Sequence, residues 1–379
     1  MIRTIFRIFV LSATLVFSSC IREEALNTEA DITSCTLEGD VLTGEATIKN
    51  DRVILNLKGG VDVRTLAPIF TLTPGATIFP ESGSVRDFTL PQSYKVTSED
   101  GAWSKTYTVE VTSSAYFMKR CSFEHIVYNK KEGAAGGIFQ VFHDVDLTGK
   151  EFEWGSGNSG FALTGVALSY EDYPTMQATG GYEGNCLKLV TRSTGSFGAM
   201  VNMPIAAGNL FLGTFDVSTA LSNSLKSTKF GLPWDQVPYA VRGRFKYRAG
   251  ETFYQLDPTV HGKMKEIPGK KDQFNIVALF YEYDAETPFL DGTNYMDPQN
   301  PHVIYYGQID PEMLIETEAW TEFEVKLQQR PGKKVDPSKL KNQMYKFAMI
   351  FTSSIHGDTF SGAPGSTLLI DEVVIDYDK

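Results

Sequence analysis

The chain has 379 residues, of which 42% are hydrophobic, 12% aromatic and 21% charged, with 33 glycines, 17 prolines and 4 cysteines. That length leaves room for two to three domains at about 150 residues each, and the composition excludes a disordered chain, a collagen-like repeat and a disulfide scaffold. With 35 basic against 46 acidic residues the net charge is −11; nucleic acid is not an expected partner, because backbone binding needs a basic surface.

At the N-terminus Arg3 and Arg7 precede an apolar run from Ile8 to Phe17, and the small residues Ser18 and Ser19 lead to Cys20. The run is too short to span a hydrocarbon core of about 30 Å, so residues 1–19 read as a signal peptide. Phe17-Ser18-Ser19-Cys20 resembles a bacterial lipobox, with Phe17 in place of the usual leucine. The resemblance implies cleavage before Cys20, acylation of Cys20 and attachment to the membrane through lipid alone. Ile21-Arg22-Glu23-Glu24 resembles the acidic signal that carries gut-bacterial lipoproteins to the outer face of the outer membrane. Loss of the leader removes two arginines and leaves 33 basic against 46 acidic residues, a net charge of −13. No later stretch reaches the roughly 18 uninterrupted apolar residues of a spanning helix.

After a linker over residues 20–30, helical periodicity is almost absent. Alternation over five to eight residues recurs instead, broken by Gly, Pro, Asn and Asp. Residues 31–113 hold the runs Val53 to Leu57, Ile69 to Leu72 and Tyr107 to Val111, separated by turn signals at Gly59-Gly60, Thr73-Pro74-Gly75 and Glu99-Asp100-Gly101. In the last run the apolar residues take one face and the polar ones the other, as period two requires of a strand covering a core. The spacing predicts an immunoglobulin-like β-sandwich. Leu66-Ala67-Pro68, Thr73 to Ala76, Asp87-Phe88 and Tyr94 to Gly101 resemble the membrane-proximal Ig-like module of gut-bacterial surface lipoproteins, which implies a spacer.

Ser113-Ser114 marks the boundary to a second, larger domain over residues 114–379. Its candidate strands are Phe139 to Phe142, Leu187 to Thr191, Val241 to Tyr247, Asn275 to Tyr283, His302 to Tyr306, Glu322 to Leu327, Lys346 to Thr352 and Thr367 to Tyr377. So many strands without helices predict a jelly-roll β-sandwich, and an all-β chain throughout. Four sets of residues resemble the putative carbohydrate metabolism domain family. They are Ile205 to Phe211; Lys229-Phe230-Gly231 with Pro233; Gly243 followed by Phe245 to Tyr247; and Ser353-Ser354 leading to Gly362 through Leu368. The resemblance implies a fold like that of carbohydrate-binding modules, and a place beside glycan-uptake machinery with other surface lipoproteins as possible company.

Chemistry-bearing motifs are sparse. Cys35, Cys121 and Cys186 form neither a disulfide framework nor a zinc pattern. Residues 155–160 spell G-x-G-x-x-G, but a dinucleotide site needs that loop between a strand and a helix, so it reads as a loop and no organic cofactor is expected. Glu282, Asp284 and Glu286 would share a face on a strand, close enough for a nucleophile and acid pair. They resemble the E-x-D-x-E signature of retaining glucanases, and are the candidate catalytic residues if the chain is a glycoside hydrolase. If Leu369, Val373, Ile375 and Tyr377 face the core, Asp371 faces it too, and a buried carboxylate must be paired, coordinated or neutralised. Jelly-roll sugar-binding modules often tie their end strands through calcium, which makes Glu124 and Asp371 candidate ligands of a structural calcium ion.

Sugars pack C–H faces on aromatic rings, while their hydroxyls seek polar side chains. Trp154 with Asn158, Trp234 with Asp235, and Tyr281 and Tyr283 are the candidate carbohydrate contacts, with Tyr305 and Tyr306 nearby in the strand pattern. Arg242, Arg244, Lys246 and Arg248 give one strand a basic face, which reads as solvated. The leading expectation is a non-catalytic surface lipoprotein that binds a poly- or oligosaccharide. The alternatives are a glycoside hydrolase and an adhesion or assembly subunit.

Overall fold

The computed structural model describes residues 25–377, apart from 43, 58–60, 62, 89, 113–115, 130–136, 148 and 342. The signal peptide, Cys20, the Glu23-Glu24 pair, the Gly59-Gly60 turn and the Ser113-Ser114 boundary lie outside the described residues.

The chain is all-β. Its first part contains β1 (Ile32–Thr36), β2 (Thr47–Lys49), β3 (Arg52–Asn56), β4 (Ile69–Leu72), β5 (Thr77–Phe79), β6 (Gln92–Thr97) and β7 (Ser104–Thr112). β1 and β4 form one sheet, and a second runs β2-β3-β7-β6-β5, with β3 and β7 parallel. This is the immunoglobulin-like sandwich that the alternation called for. Val53, Leu55, Tyr94, Val96, Tyr107 and Val109 turn into its core, while Thr108 and Glu110 point away.

The second part is built on β8 (Arg120–Cys121), β9 (Thr175–Thr179), β10 (Asn185–Val190), β11 (Asn209–Phe211), β12 (Pro238–Arg248), β13 (Asn275–Glu282), β14 (Val303–Gln308), β15 (Thr317–Lys326), β16 (Gln328–Gln329), β17 (Tyr345–Thr352) and β18 (Thr367–Tyr377). One antiparallel sheet runs β9-β10-β18-β12-β15, with β8 on β18; the other runs β11-β17-β13-β14-β16. The two pack face to face as a jelly-roll sandwich. Leu187, Val241, Phe245, Phe323 and Ile370 of the first meet Ile276, Phe280, Phe347, Met349 and Phe351 of the second in one apolar core. β13 is buried on both faces, because Phe230, Leu290, Tyr295 and Tyr306 cover the outer side of its sheet as a second apolar layer.

The phase of β18 differs from the expected one. Leu368, Ile370, Val373 and Ile375 face the core and Leu369 does not. The register against β12 shifts between Arg242 and Arg244, opposite Asp371, and Glu372 adopts a left-handed φ of 52°. An extra residue in one strand resets the alternation. Asp371 is therefore buried on the outer side of the sheet, beneath the β9–β10 hairpin.

Candidate functional site

The expected carbohydrate platforms are core residues, which corrects the reading of Trp154, Trp234 and Tyr281. Trp154 is 3% exposed and its Nε1 donates to Asp144 Oδ2 at 3.0 Å. It continues the alternation of the short strand Glu151–Glu153, in which Phe152 also turns inward. Trp234 is fully buried, 5.3 Å from Phe347 between ring centroids. Tyr281 sits on the doubly covered β13 and donates its hydroxyl to the Phe230 carbonyl. Asn158 is also buried. Its amide donates to Thr175 O at 2.7 Å and accepts from Thr175 N at 3.1 Å, tying two segments together instead of facing a ligand. Asp235 is 7% exposed. Tyr283 is half-buried, with Lys346 Nζ 4.8 Å from its ring.

The three acidic residues do not share a strand face. β13 ends at Glu282, which pairs with Lys339. Asp284 caps the following turn, accepting from Thr287 N at 2.7 Å and Glu286 N at 2.9 Å. These amides hold its carboxyl below the usual range, the opposite of what a general acid needs.

Glu124 and Asp371 do converge, on the β9–β10 hairpin. Glu124 accepts from the Asn185 amide and side chain, each at 2.8 Å. Asp371 Oδ2 accepts from Tyr182 N at 2.7 Å and Glu183 N at 3.1 Å. Calcium requires six to eight oxygen ligands, whereas the groups facing these carboxylates are N–H donors, so the pair does not fit a calcium cage. Among the described residues no cluster of three or more His, Cys, Asp or Glu could hold a metal.

The structure instead opens a cavity of about 210 Å³ at one edge of the large sandwich. Two short helices frame it: α1 (Asn158–Ala162) and α2 (Gly195–Met200). Phe211, Phe215, Phe230 and Tyr295 line the side formed by the second apolar layer, and Phe161, Phe197 and Phe360 contribute further rings. Phe230 lies 5.0 Å from Phe211 and 4.8 Å from Tyr295. Asp358 is the one carboxylate among the lining residues.

The glycine-rich segment is positioned here by close packing. Gly155 exchanges both backbone hydrogen bonds with Phe211 at 2.9 Å, and a Cβ on Gly155 would stand 2.5 Å from the Phe211 ring. A Cβ on Gly160 would stand 3.1 Å from Phe215. The segment was expected to be a loop throughout, yet its second half begins the five-residue α1. Its glycines admit the aromatic wall of the cleft rather than a pyrophosphate. The signal for this site was in the family-resembling residues. Ile205, Ala206, Ala207, Asn209, Phe211 and Phe230 all line the cavity, whereas the aromatic carbohydrate contacts expected from the sequence are Trp154, Trp234, Tyr281 and Tyr283.

Outside the cleft, burial pushes the Asp144 carboxyl up to about 6, against the opposing effects of the Trp154 hydrogen bond and of His125 and His143.

Two β-sandwiches, the larger bearing an aromatic cleft, define the class of molecule. Residues 122–376 match the family described as the putative carbohydrate metabolism domain, and the chain belongs to that family. Residues 32–111 match the SGBP N-terminal domain family. A crystal structure described as a putative glycoside hydrolase from Bacteroides thetaiotaomicron VPI-5482 is 45% identical; the match covers 94% of this chain and 99% of that one, with a TM-score of 0.63. Another putative glycoside hydrolase, from Bacteroides vulgatus ATCC 8482, is 38% identical over 70% of this chain and all of that one, with a TM-score of 0.62. No protein of curated function matches the chain.

Proposed function

We propose that the chain is a surface lipoprotein whose larger sandwich binds glycans without cleaving them, in the service of polysaccharide uptake or degradation, with the Ig-like sandwich as its stalk. Family membership and the SGBP N-terminal match support the carbohydrate reading. The observation that carries the non-catalytic half is the make-up of the cleft: it has aromatic walls but a single carboxylate, Asp358. Glycoside hydrolysis ordinarily needs two, about 5 to 9.5 Å apart. The two similar crystal structures described as putative glycoside hydrolases keep hydrolysis as the second reading. Anchoring would be through Cys20, facing outwards, beside other lipoproteins of glycan uptake. Among the described residues no helix is long and apolar enough to cross a membrane.

The test is affinity electrophoresis of residues 21–379 in gels carrying a panel of polysaccharides, with reducing-sugar release assayed on the same panel. Retention without release is expected. Release would establish hydrolysis, and the absence of retention on every polysaccharide would remove the glycan reading in favour of adhesion or assembly.

A further inference from the structure

The cleft is more apolar than an unsubstituted sugar can use, and its polar side chains are largely committed. Thr164 Oγ1 donates to Phe161 O at 2.7 Å, Thr194 Oγ1 to Met203 O at 2.6 Å, and Thr228 Oγ1 to Leu225 O at 3.1 Å. Thr352 Oγ1 donates to Ser354 O at 3.2 Å, and the Ser354 hydroxyl is held by Asp272 and Thr191. Asn209 accepts from Gly157 N at 2.8 Å and donates to Ala207 O at 3.3 Å. The hydroxyls that ring a sugar would enter this space and find few free partners, and a buried polar group without a partner opposes binding.

An aromatic guest meets the opposite situation. Phe211 and Phe230 stand edge-to-face at 80°, and Phe230 and Tyr295 are tilted at 54°. Aromatic pairs favour these arrangements, so a further ring could join the cluster. Three polar side chains at the cavity, those of Ser224, Tyr295 and the exposed Asp358, make no hydrogen bond among the described residues, and desolvation together with Asp358 pushes the half-buried Tyr295 hydroxyl up. A carboxylate at the site favours a guest that donates a proton and disfavours an anion.

We propose that the cleft receives a neutral hydroxyaryl group, an aromatic ester substituent carried on a glycan. The ring packs against Phe197, Phe211 and Phe230, and its hydroxyl meets Tyr295 and Asp358. The inference takes from the glycan reading only that the aryl group is borne by a sugar.

The test is calorimetric titration of residues 21–379 with methyl ferulate, a neutral hydroxyaryl ester, and with the ferulate anion. Saturable binding of the ester is expected, with the anion weaker. Phe197→Ala and Tyr295→Phe should each weaken the ester at least tenfold while melting close to the parent. Both side chains are only half-buried, and Tyr295→Phe keeps the ring if truncation of Phe197 impairs folding. Absence of saturable binding, equal binding of the anion, or an undiminished Tyr295→Phe variant would overturn the proposal. Retention by unsubstituted polysaccharides with no affinity for the ester would overturn it while the glycan reading stands. Ester binding with no polysaccharide retained would leave the cleft assignment and remove the glycan.

Discussion

Trp154 shows how the same side chain can be read two ways. A tryptophan among glycines and asparagine looks like a ligand platform, yet its indole N–H is spent on Asp144 and its ring packs near Phe123 and Phe152. Removing a core tryptophan typically costs about 3 to 5 kcal/mol. Trp234→Ala and Trp154→Ala should therefore lower stability by that order in denaturant melts, and any protein that remains folded should keep its retention in polysaccharide gels. Asp144 adds a pH dependence. Its folded-state value of about 6 lies above the ordinary 3.8, so the folded protein holds this proton more tightly than the unfolded chain. The stabilisation is complete below about pH 3.8 and is lost as pH rises through about 6, amounting to at most about 3 kcal/mol. Asp272, also raised by burial, acts in the same direction. Asp144→Asn keeps an acceptor for Trp154 and should flatten this part of the stability profile between pH 4 and 7. An unchanged profile would show that Asp144 is not its source.

The β9–β10 hairpin is the element whose N–H groups are taken up by two carboxylates, Asp371 and Glu124. A Cβ on Gly181 would stand 2.7 Å from Asp371 Oδ2, and one on Gly184, whose φ is +61°, would stand 2.2 Å from Glu124 Oε1. The glycines let the turn fold directly onto the acids, whose oxygens take its amides. Burying unpaired amides costs about 1 to 3 kcal/mol, so Asp371→Ala should destabilise the protein by that order. Chelation should leave the melting temperature of the parent unchanged. A drop in melting temperature with EDTA, restored by calcium, would reinstate the ion. The neighbouring acidic segment behaves as an ordinary strand end. Because Glu282 pairs with Lys339 and Asp284 caps a turn, Glu282→Gln and Asp284→Asn should leave polysaccharide retention unchanged in the same gels.

The two sandwiches have separate cores. The apolar cluster of the first draws on residues from Ala30 to Val111 and that of the second on residues from Tyr116 to Tyr377. A fragment of residues 116–379 should therefore unfold cooperatively by itself. If the Ig-like part is a spacer, the fragment should also retain the polysaccharides bound by residues 21–379. Loss of retention in a folded fragment would place ligand contacts in the stalk. The proposed anchoring would be independent of both cores: if Cys20 is lipidated, Cys20→Ala should move the protein from the membrane fraction to the soluble one, and unchanged fractionation would refute lipidation.

Strand content was legible because it rests on local alternation. Ile69–Leu72 and Thr367–Tyr377 form with the bounds that their residues imply, and the family resemblance was legible because it rests on short runs of residue identity that need no knowledge of the fold. The bulge at Asp371, the double burial of β13 and the closing of Trp154 over Asp144 were not legible. Each depends on which segment lies across the sheet, and period two says only that faces alternate, not which face is covered. The cleft belongs to the same category. Phe161, Phe197 and Tyr295 come from distant stretches and read as ordinary core residues in the chain, and tertiary packing brings them beside Phe211, Phe215 and Phe230 in one cavity.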